Sequence, residues 1–233
     1  MCRCLVFVLL LITKPFLIEA KPVVVAISDF PPWINVSEEY YGVHGAIVIR
    51  ALQKAKVPYE IKISSWARIR KMLSSEDVCS FGFVKNKERL AKWQYSRPYH
   101  TDKTFLWGRK NNRLELNNIQ DAAQYRLAVT SGYSYGQEFD EFLSHMETDE
   151  SLNDTINLRK LLAGRIDLFP GQIKIIKPLM ATQFPDQIDE LEPKIQINQL
   201  NHHFVCNKNS ETGKQVIQKI NRYLPVIAEQ TNS

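Results

Sequence analysis

The segment at residues 77–99 constrains the fold of this chain most strongly. Residues 78–84 are apolar or small on both faces, as in a parallel strand that is covered by helices on each side. Arg89 follows shortly after this strand, and open α/β sheets bind ligands at the carboxyl ends of their strands. Pro98 then forces Arg97 towards an extended conformation, so a crossing strand is predicted next. A crossing strand at this point implies an α/β protein with two lobes.

Strand and helix patterns alternate along the chain, which favours mostly parallel sheets flanked by helices in each lobe. Strands are predicted at residues 23–28, 59–63, 78–83, 104–109, 126–131 and 166–169, and near 195–197 and 203–207. Helices are predicted at residues 45–56, 65–73, 136–145, 156–163, 172–180 and 211–228. We therefore predict a first lobe formed by residues 21–100 and 198–233 and a second formed by residues 101–197. Two crossing strands would join the lobes as a hinge.

Residues 1–20 have the pattern of a cleaved secretory signal peptide. An apolar run, LVFVLLLI at residues 5–12, lies between Arg3 and Lys14, and Ala20 precedes the predicted cut. A membrane anchor is the alternative, but it needs about 18 or more consecutive apolar residues, and Lys14 ends the run well before that. The sequence therefore predicts export to the periplasm.

Only two cysteines, Cys79 and Cys206, remain after removal of the predicted signal peptide. An oxidising compartment makes a disulfide between them conceivable. Both cysteines lie in apolar, strand-like runs, however, where buried free thiols are common. The sequence therefore favours two free, buried thiols.

Five ordered motifs carry a resemblance to a known family. They are CSFGF at 79–83, Glu88-Arg89, YSRPY at 95–99, GYSYG at 132–136 and NLRKLLAGRID at 157–167. In order and spacing they resemble the bacterial periplasmic solute-binding proteins of the amino-acid-binding type, the family 3 extracellular solute-binding proteins, from Val23 to about Tyr223. The resemblance implies a type II periplasmic-binding-protein-like fold. It also implies a monomer that closes around a small ligand without a cofactor, for an ABC-type importer or a membrane sensor.

Arg89 is the first candidate for a ligand contact. In the family that this chain resembles, the arginine of this motif holds the carboxylate of the ligand, and Arg89 is the matching residue. A guanidinium offers a planar fork that binds a carboxylate through two hydrogen bonds. The alternative is a surface arginine that pairs with Glu88 or Asp77.

Four further positions follow from the same resemblance. Ser134 and Tyr133 lie in the loop that opens a helix of the second lobe, where a hydroxyl and backbone N–H groups can receive an anionic group. Gln172 stands where the amino-acid binders have an acidic residue for the ammonium of the ligand. Gly82 is one of the residues that replace the serines usually found before the arginine. A small polar ligand with a carboxylate, and with fewer contacts to a cation than an amino-acid site makes, is therefore expected.

Aromatic side chains at predicted loop tips are candidates to cover this ligand. Phe30 and Trp33 flank two prolines after the first strand, and Trp66 lies beside the carboxyl edge of the sheet. Tyr41 and Tyr133 complete the set. Packing in the core is the alternative role for these rings.

Two enzymatic alternatives stay open at the level of sequence. The GYSYG motif has the G-x-S-x-G pattern of a hydrolase nucleophile between a strand and a helix, and Asp167 with His202 or His203 could complete a triad with Ser134. No HGGG-type segment follows an early strand, which argues against it. A dehydratase-like enzyme on the same fold would need a general acid or base, for which Glu88 is the candidate. We expect a binding protein and no catalytic residue.

The sequence gives little support for metal or nucleic-acid binding. The five histidines are scattered, and the adjacent pair His202 and His203 lies in a strand, where successive side chains point to opposite faces. The pair is therefore not expected to bind one ion. The formal net charge of +5 is spread along the chain, unlike the basic patch of a nucleic-acid-binding protein.

Overall fold

The computed structural model describes residues 21–227, so the predicted signal peptide lies outside the described residues. The first half contains β1 (Val23–Ile27), α1 (Gly42–Lys54), β2 (Tyr59–Ile63), α2 (Trp66–Ser75), β3 (Val78–Phe83), α3 (Lys87–Lys92) and β4 (Trp93–Tyr95). The second half contains β5 (His100–Arg109), β6 (Ala128–Thr130), α4 (Gln137–Leu143), β7 (Asp149–Ser151), α5 (Asp154–Leu162), β8 (Phe169–Gln172), α6 (Ile173–Gln183), β9 (Leu191–Asn207) and α7 (Glu211–Ile220). Short 3₁₀ helices lie at Ile119–Gln124 and Pro185–Gln187.

The strands form a mixed sheet in the order β2-β1-β3-β9-β5-β8, with β4 also paired to β9. Strand β1 runs parallel to β2 and β3, whereas β9 runs antiparallel to β3, β4 and β5. Strands β6 and β7 form a separate parallel pair. We call β1–β4 with α1–α3 and α7 the first lobe, and β5–β8 with α4–α6 the second lobe. The lobe boundaries predicted from the sequence stay a prediction.

Strand β9 connects the two lobes. Its first part pairs with β5, from Leu191 opposite Arg109 to His202 opposite His100, and its last residues pair with β3 and β4. We call β5 and β9 the crossing strands. The sequence predicted two short strands near 195–197 and 203–207, and this was wrong because β9 is one strand of 17 residues. Polar residues at 198, 199 and 201 interrupt the apolar pattern, yet their backbone pairs with β5.

Local sequence accounts for the elements that shape the cleft. Valines and isoleucine make β1 a buried strand, as β-branched residues favour this setting. The Ser65 hydroxyl caps α2 by accepting a hydrogen bond from the Arg68 N–H at 3.4 Å. Asn86 caps α3 in the same way, accepting from the Arg89 N–H at 2.9 Å. The helices predicted from the sequence did not include residues 87–92, where the Asn86 cap allows α3 to form before β4 begins.

Cys79 and Cys206 form a disulfide, which corrects the prediction of two free thiols. Cys79 lies on β3 and Cys206 lies directly opposite on β9, with 4.0 Å between their Cα atoms. The two residues are 127 positions apart in sequence. The register of an antiparallel pair between such distant segments is a tertiary property, so the sequence pattern did not reveal it.

The hydrophobic core extends through both lobes. One large cluster runs from α1 and α7, across the sheet at Phe81 and Phe204, to Trp107, Leu158 and Ile176 of the second lobe. Two smaller clusters pack under α2 in the first lobe and around α4 in the second. Within residues 21–227, no helix has the length and apolar character needed to cross a membrane.

Candidate functional site

A cavity lies between the two lobes at the carboxyl ends of β1 and β3. Seven of the eight predicted ligand-binding residues line it: Phe30, Trp66, Gly82, Arg89, Tyr133, Ser134 and Gln172. Its volume is about 100 Å³. One water needs about 10–15 Å³ on such a scale, so the cavity holds a ligand of on the order of eight water-sized groups. This size suits a small metabolite.

Trp33, the eighth predicted residue, does not line the cavity. Its side chain is 1% exposed, and its indole Nε1–H donates a hydrogen bond of 2.6 Å to Gln172 Oε1. The ring therefore lies behind Gln172 and fixes the orientation of that amide. The aromatic loop after β1 turns Trp33 into the core while Phe30 reaches the cavity.

Arg89 reaches the cavity from α3. Its Nη1 donates to the Val84 carbonyl at 3.2 Å and its Nη2 to the Gly132 carbonyl at 3.5 Å. The guanidinium carbon lies 5.6 Å from the ring centres of both Phe83 and Trp93, so the rings hold the cation in place. Burial lowers the pKa of Arg89, because it penalises the charged form.

A second arginine, Arg70 on α2, lines the same cavity and was missed by the sequence reasoning. Its Nη1 donates to the Gly132 carbonyl at 3.0 Å, so both guanidinium groups converge on this carbonyl. Gly132 has a φ of +75°, and a Cβ atom there would lie 2.5 Å from the Arg70 guanidinium. The positive φ therefore favours glycine at this position. Within residues 21–227, neither arginine forms an ion pair with a carboxylate.

Ser134 is held by Asp140 rather than by a histidine. Its hydroxyl donates to the Asp140 carboxylate, which also accepts the Tyr135 N–H at 2.7 Å. The proposed triad partners lie elsewhere: Asp167 pairs with Arg126 at 2.8 Å, and the ring of His203 contacts the Ser96 carbonyl at 2.8 Å. His202 faces Asp102. The contacts of a serine-hydrolase triad are therefore missing among the described residues.

Asp154 is an acidic side chain of the cavity that the sequence reasoning also missed. It begins α5 and is 8% exposed, and its Oδ1 accepts a hydrogen bond of 2.6 Å from the Thr130 hydroxyl. Burial raises the pKa of Asp154 to about 6. The cavity thus combines two arginines with one acidic group.

Aromatic rings form a wall of the cavity. Phe30 of the first lobe meets Tyr133 of the second in an edge-to-face contact, with 5.6 Å between ring centres. Phe30 also packs edge-to-face on Trp66 at 6.3 Å, and Trp66 on Phe83 at 5.2 Å. Burial raises the pKa of the Tyr133 hydroxyl, so this group stays neutral. The rings offer an apolar cover with one hydroxyl.

The lobes touch each other around the cavity. The Arg70 side chain reaches the Gly132 carbonyl, and the Trp33 indole reaches Gln172. The backbone N–H of Lys87 donates to Gln137 Oε1 at 2.8 Å. These hydrogen bonds all join the first lobe to the second, so the structure has the lobes closed on one another.

Glu88, the candidate acid or base of a dehydratase, does not line this cavity. Its carboxylate pairs with Lys92 at 2.7 Å, and its side chain is 75% exposed. The crossing strands instead supply Thr104, Leu200 and His202 to the wall of the cavity.

Comparisons of sequence place these features in a family. The profile described as "Bacterial extracellular solute-binding proteins, family 3" matches residues 23–224. A search among curated protein sequences found no match.

Solved structures share the fold at low sequence identity. A histidine kinase sensor domain with similarity to periplasmic binding proteins gives a TM-score of 0.69 at 15% identity, covering 88% of this chain and 89% of that chain. The arginine-, lysine-, histidine-binding protein ArtJ from Geobacillus stearothermophilus gives 0.66 at 19% identity, covering 87% and 89%. The GluR0 ligand-binding core in complex with L-glutamate gives 0.69 at 17% identity, covering 88% and 93%. These likenesses show the fold, which is that of type II periplasmic binding proteins.

Proposed function

The chain belongs to the bacterial extracellular solute-binding proteins of family 3, and on this premise we propose that it captures a small, amino-acid-like ligand with a carboxylate group between its two lobes. Proteins of this family bind ligands and are not enzymes, and the contacts of Ser134 and Glu88 fit that role. Ligand binding would favour the closed arrangement through the contacts that both lobes make with the ligand.

The observation that carries the proposal is the pair of arginines at the cavity. Arg70 and Arg89 both reach the Gly132 carbonyl, and no carboxylate of residues 21–227 pairs with either one. Both arginines are half-buried, and an anionic ligand would offset the cost of a partly desolvated cation that has no acidic partner. A planar guanidinium group can donate two parallel hydrogen bonds to the two oxygens of a carboxylate.

The rest of the cavity narrows the class of ligand. Asp154 supplies a carboxylate to the same cavity, whereas Gln172 stands where, by the resemblance, the amino-acid binders have an acidic residue. An ammonium group next to Asp154 would stabilise its ionised form. Phe30, Trp66 and Tyr133 would cover an apolar portion. A zwitterion with a short side chain would match all three features: its carboxylate the arginines, its ammonium Asp154, and its side chain the aromatic rings.

We further propose that the protein acts in the periplasm after removal of residues 1–20. The bound form would be delivered to an ABC-type importer or presented to a membrane sensor. Uptake of labelled ligand by cells that lack the gene separates the two: loss of uptake supports the importer. Unchanged uptake with a lost transcriptional response supports the sensor.

A thermal-shift screen of the purified protein tests the binding function. Amino acids, small organic acids, opines, short peptides and polyamines would be compared, because a ligand of the native state raises the melting temperature. We expect a carboxylate-bearing class to stabilise the wild type. Arg89→Ala should weaken its affinity by about 10- to 150-fold, the range expected for a charged hydrogen-bonded contact of about 1.5–3 kcal/mol.

Arg113→Ala is the matched control, because Arg113 is an exposed arginine that does not line the cavity. It should bind as the wild type does. Stabilisation by polyamines alone, or binding that is equal in the Arg89→Ala and Arg113→Ala variants, would contradict the proposed carboxylate contact.

A further inference from the structure

Three histidines and one aspartate meet where α1 packs on the crossing strands. His100 and Asp102 lie on β5, His202 lies on β9 and His44 lies on α1. Asp102 Oδ2 is 3.2 Å from His100 Nε2 and 3.3 Å from His202 Nε2. One possible ligand atom from each of His44, Asp102 and His202 lies within 4.8 Å of the other two, and these three residues are buried. The four residues form what we call the hinge cluster.

The polar atoms of the hinge cluster lack hydrogen-bond partners. His44 Nδ1, His100 Nε2, Asp102 Oδ2 and His202 Nε2 are all shielded from solvent, and none has a hydrogen-bond partner among the described residues. His100 Nε2 and His202 Nε2 therefore lie close to Asp102 Oδ2 without meeting the geometry of an N–H···O hydrogen bond. Unpartnered buried polar atoms cost free energy. A ligand bound between these atoms would remove that cost.

We infer that the hinge cluster binds one Zn²⁺ ion. Imidazole nitrogens and carboxylate oxygens are ligands of tetrahedral zinc, at about 2.0–2.2 Å from the ion. Two ligand atoms at these distances from one tetrahedral ion lie about 3.3 Å apart. The separations of 3.2 and 3.3 Å at Asp102 Oδ2 match this value. His44 and His202 supply the other two buried ligands, and His100 lies beside them through its approach to Asp102.

Neighbouring groups orient these ligands. His202 Nδ1 lies 3.4 Å from the Gly82 carbonyl oxygen, and a proton held there leaves Nε2 free to bind the ion. The His44 ring stacks on Trp33, with 5.3 Å between ring centres and 28° between planes. The ion would tie α1 of the first lobe to both crossing strands. His202 also lines the ligand cavity, so the two sites share a wall.

The test titrates ZnCl₂ into protein that was expressed from the full sequence and stripped of metal with a chelator. We expect one Zn²⁺ per chain by calorimetry. His44→Ala and His202→Ala should each weaken the affinity by more than about 100-fold, because loss of an outer-shell contact alone costs 10- to 100-fold. His145→Ala is the matched control, because His145 is an exposed histidine outside the cluster. It should bind zinc as the wild type does.

X-ray absorption of the zinc-loaded wild type keeps the test independent of how the variants fold. A first shell of nitrogen and oxygen at about 2.0–2.2 Å, with scattering from imidazole rings, supports the site. Three results would overturn it: no saturable binding of zinc, binding that is unchanged in both cluster variants, or binding that is lost in His145→Ala.

Discussion

Asp154 is the residue of the cavity whose titration affects stability most directly. Its carboxyl group is buried at the start of α5, and burial raises its pKa from 3.8 to about 6. The unfolded chain loses this proton first as the pH rises. The free energy of unfolding should therefore fall between about pH 4 and pH 6, where the folded state holds the extra proton. Asp154→Asn removes this effect, so relative to the wild type it should gain about 3 kcal/mol of stability between pH 4 and pH 7.

Urea unfolding of both proteins at pH 4 and pH 7 measures this gain. Asp186→Asn serves as the control, because Asp186 is exposed and lies outside the cavity. Its difference from the wild type should be the same at both pH values. A difference for Asp154→Asn that does not change with pH would show that the carboxyl group titrates normally.

Some of the residues that line the cavity could be predicted from the sequence, and others could not. Arg89 was predicted because it follows a buried strand within a recognisable motif, and the structure places it at the cavity. Asp154 reaches the cavity only through the packing of α5 within the second lobe, which a local pattern does not encode. Arg70 did leave a signal. It lies four residues after Trp66 on α2, so the two side chains share one helix face. The prediction that Trp66 lines the cavity therefore implies the same for Arg70.

At the scale of elements, the disulfide between β3 and β9 should contribute strongly to stability. It joins residues that are 127 positions apart, and a cross-link of this span restricts the unfolded chain. The double variant Cys79→Ala/Cys206→Ala should lose about 4 kcal/mol of unfolding free energy. Urea unfolding without reductant measures this loss. Reductant should destabilise the wild type and leave the variant unchanged, whereas equal behaviour of both proteins would show that the disulfide does not form.

Strand β9 shows which part of the fold sequence patterns predict. Strands β2 and β3 were predicted at the bounds that the structure has, because their neighbours on both sides are clear turns or caps. In β9, Asn198, Gln199 and Asn201 resemble a loop, but they pair with β5 and continue the strand. Pairing between segments about a hundred residues apart decided this element. The α/β class and two-lobed fold could be predicted, whereas the continuous crossing strand could not.

At the scale of the whole molecule, the lobes close through a small set of polar contacts. Side chains of the first lobe bond to backbone or side-chain groups of the second, as Arg70 does with Gly132. Each such contact exists only when the lobes meet, so it stabilises the closed state over an open one. Ligand affinity then depends on contacts that never touch the ligand, because binding selects the closed state.

Gln137 tests this dependence, since it joins the lobes without lining the cavity. Its side-chain oxygen accepts the Lys87 N–H at 2.8 Å across the cleft. Gln137→Ala should destabilise the closed state by about 0.5–1.5 kcal/mol, the net value of one hydrogen bond. For a free protein that is mostly open, the Kd of the ligand identified by the screen should rise about 2- to 12-fold.

Gln183→Ala is the control, because Gln183 is an exposed glutamine at the end of α6. Calorimetry with both variants separates a specific effect from a general one. Equal Kd values for the two variants would show that the contact at Gln137 does not contribute to closure. A rise in Kd for Gln137→Ala alone would show that part of the affinity resides in the contact between the lobes, since this side chain lies outside the cavity.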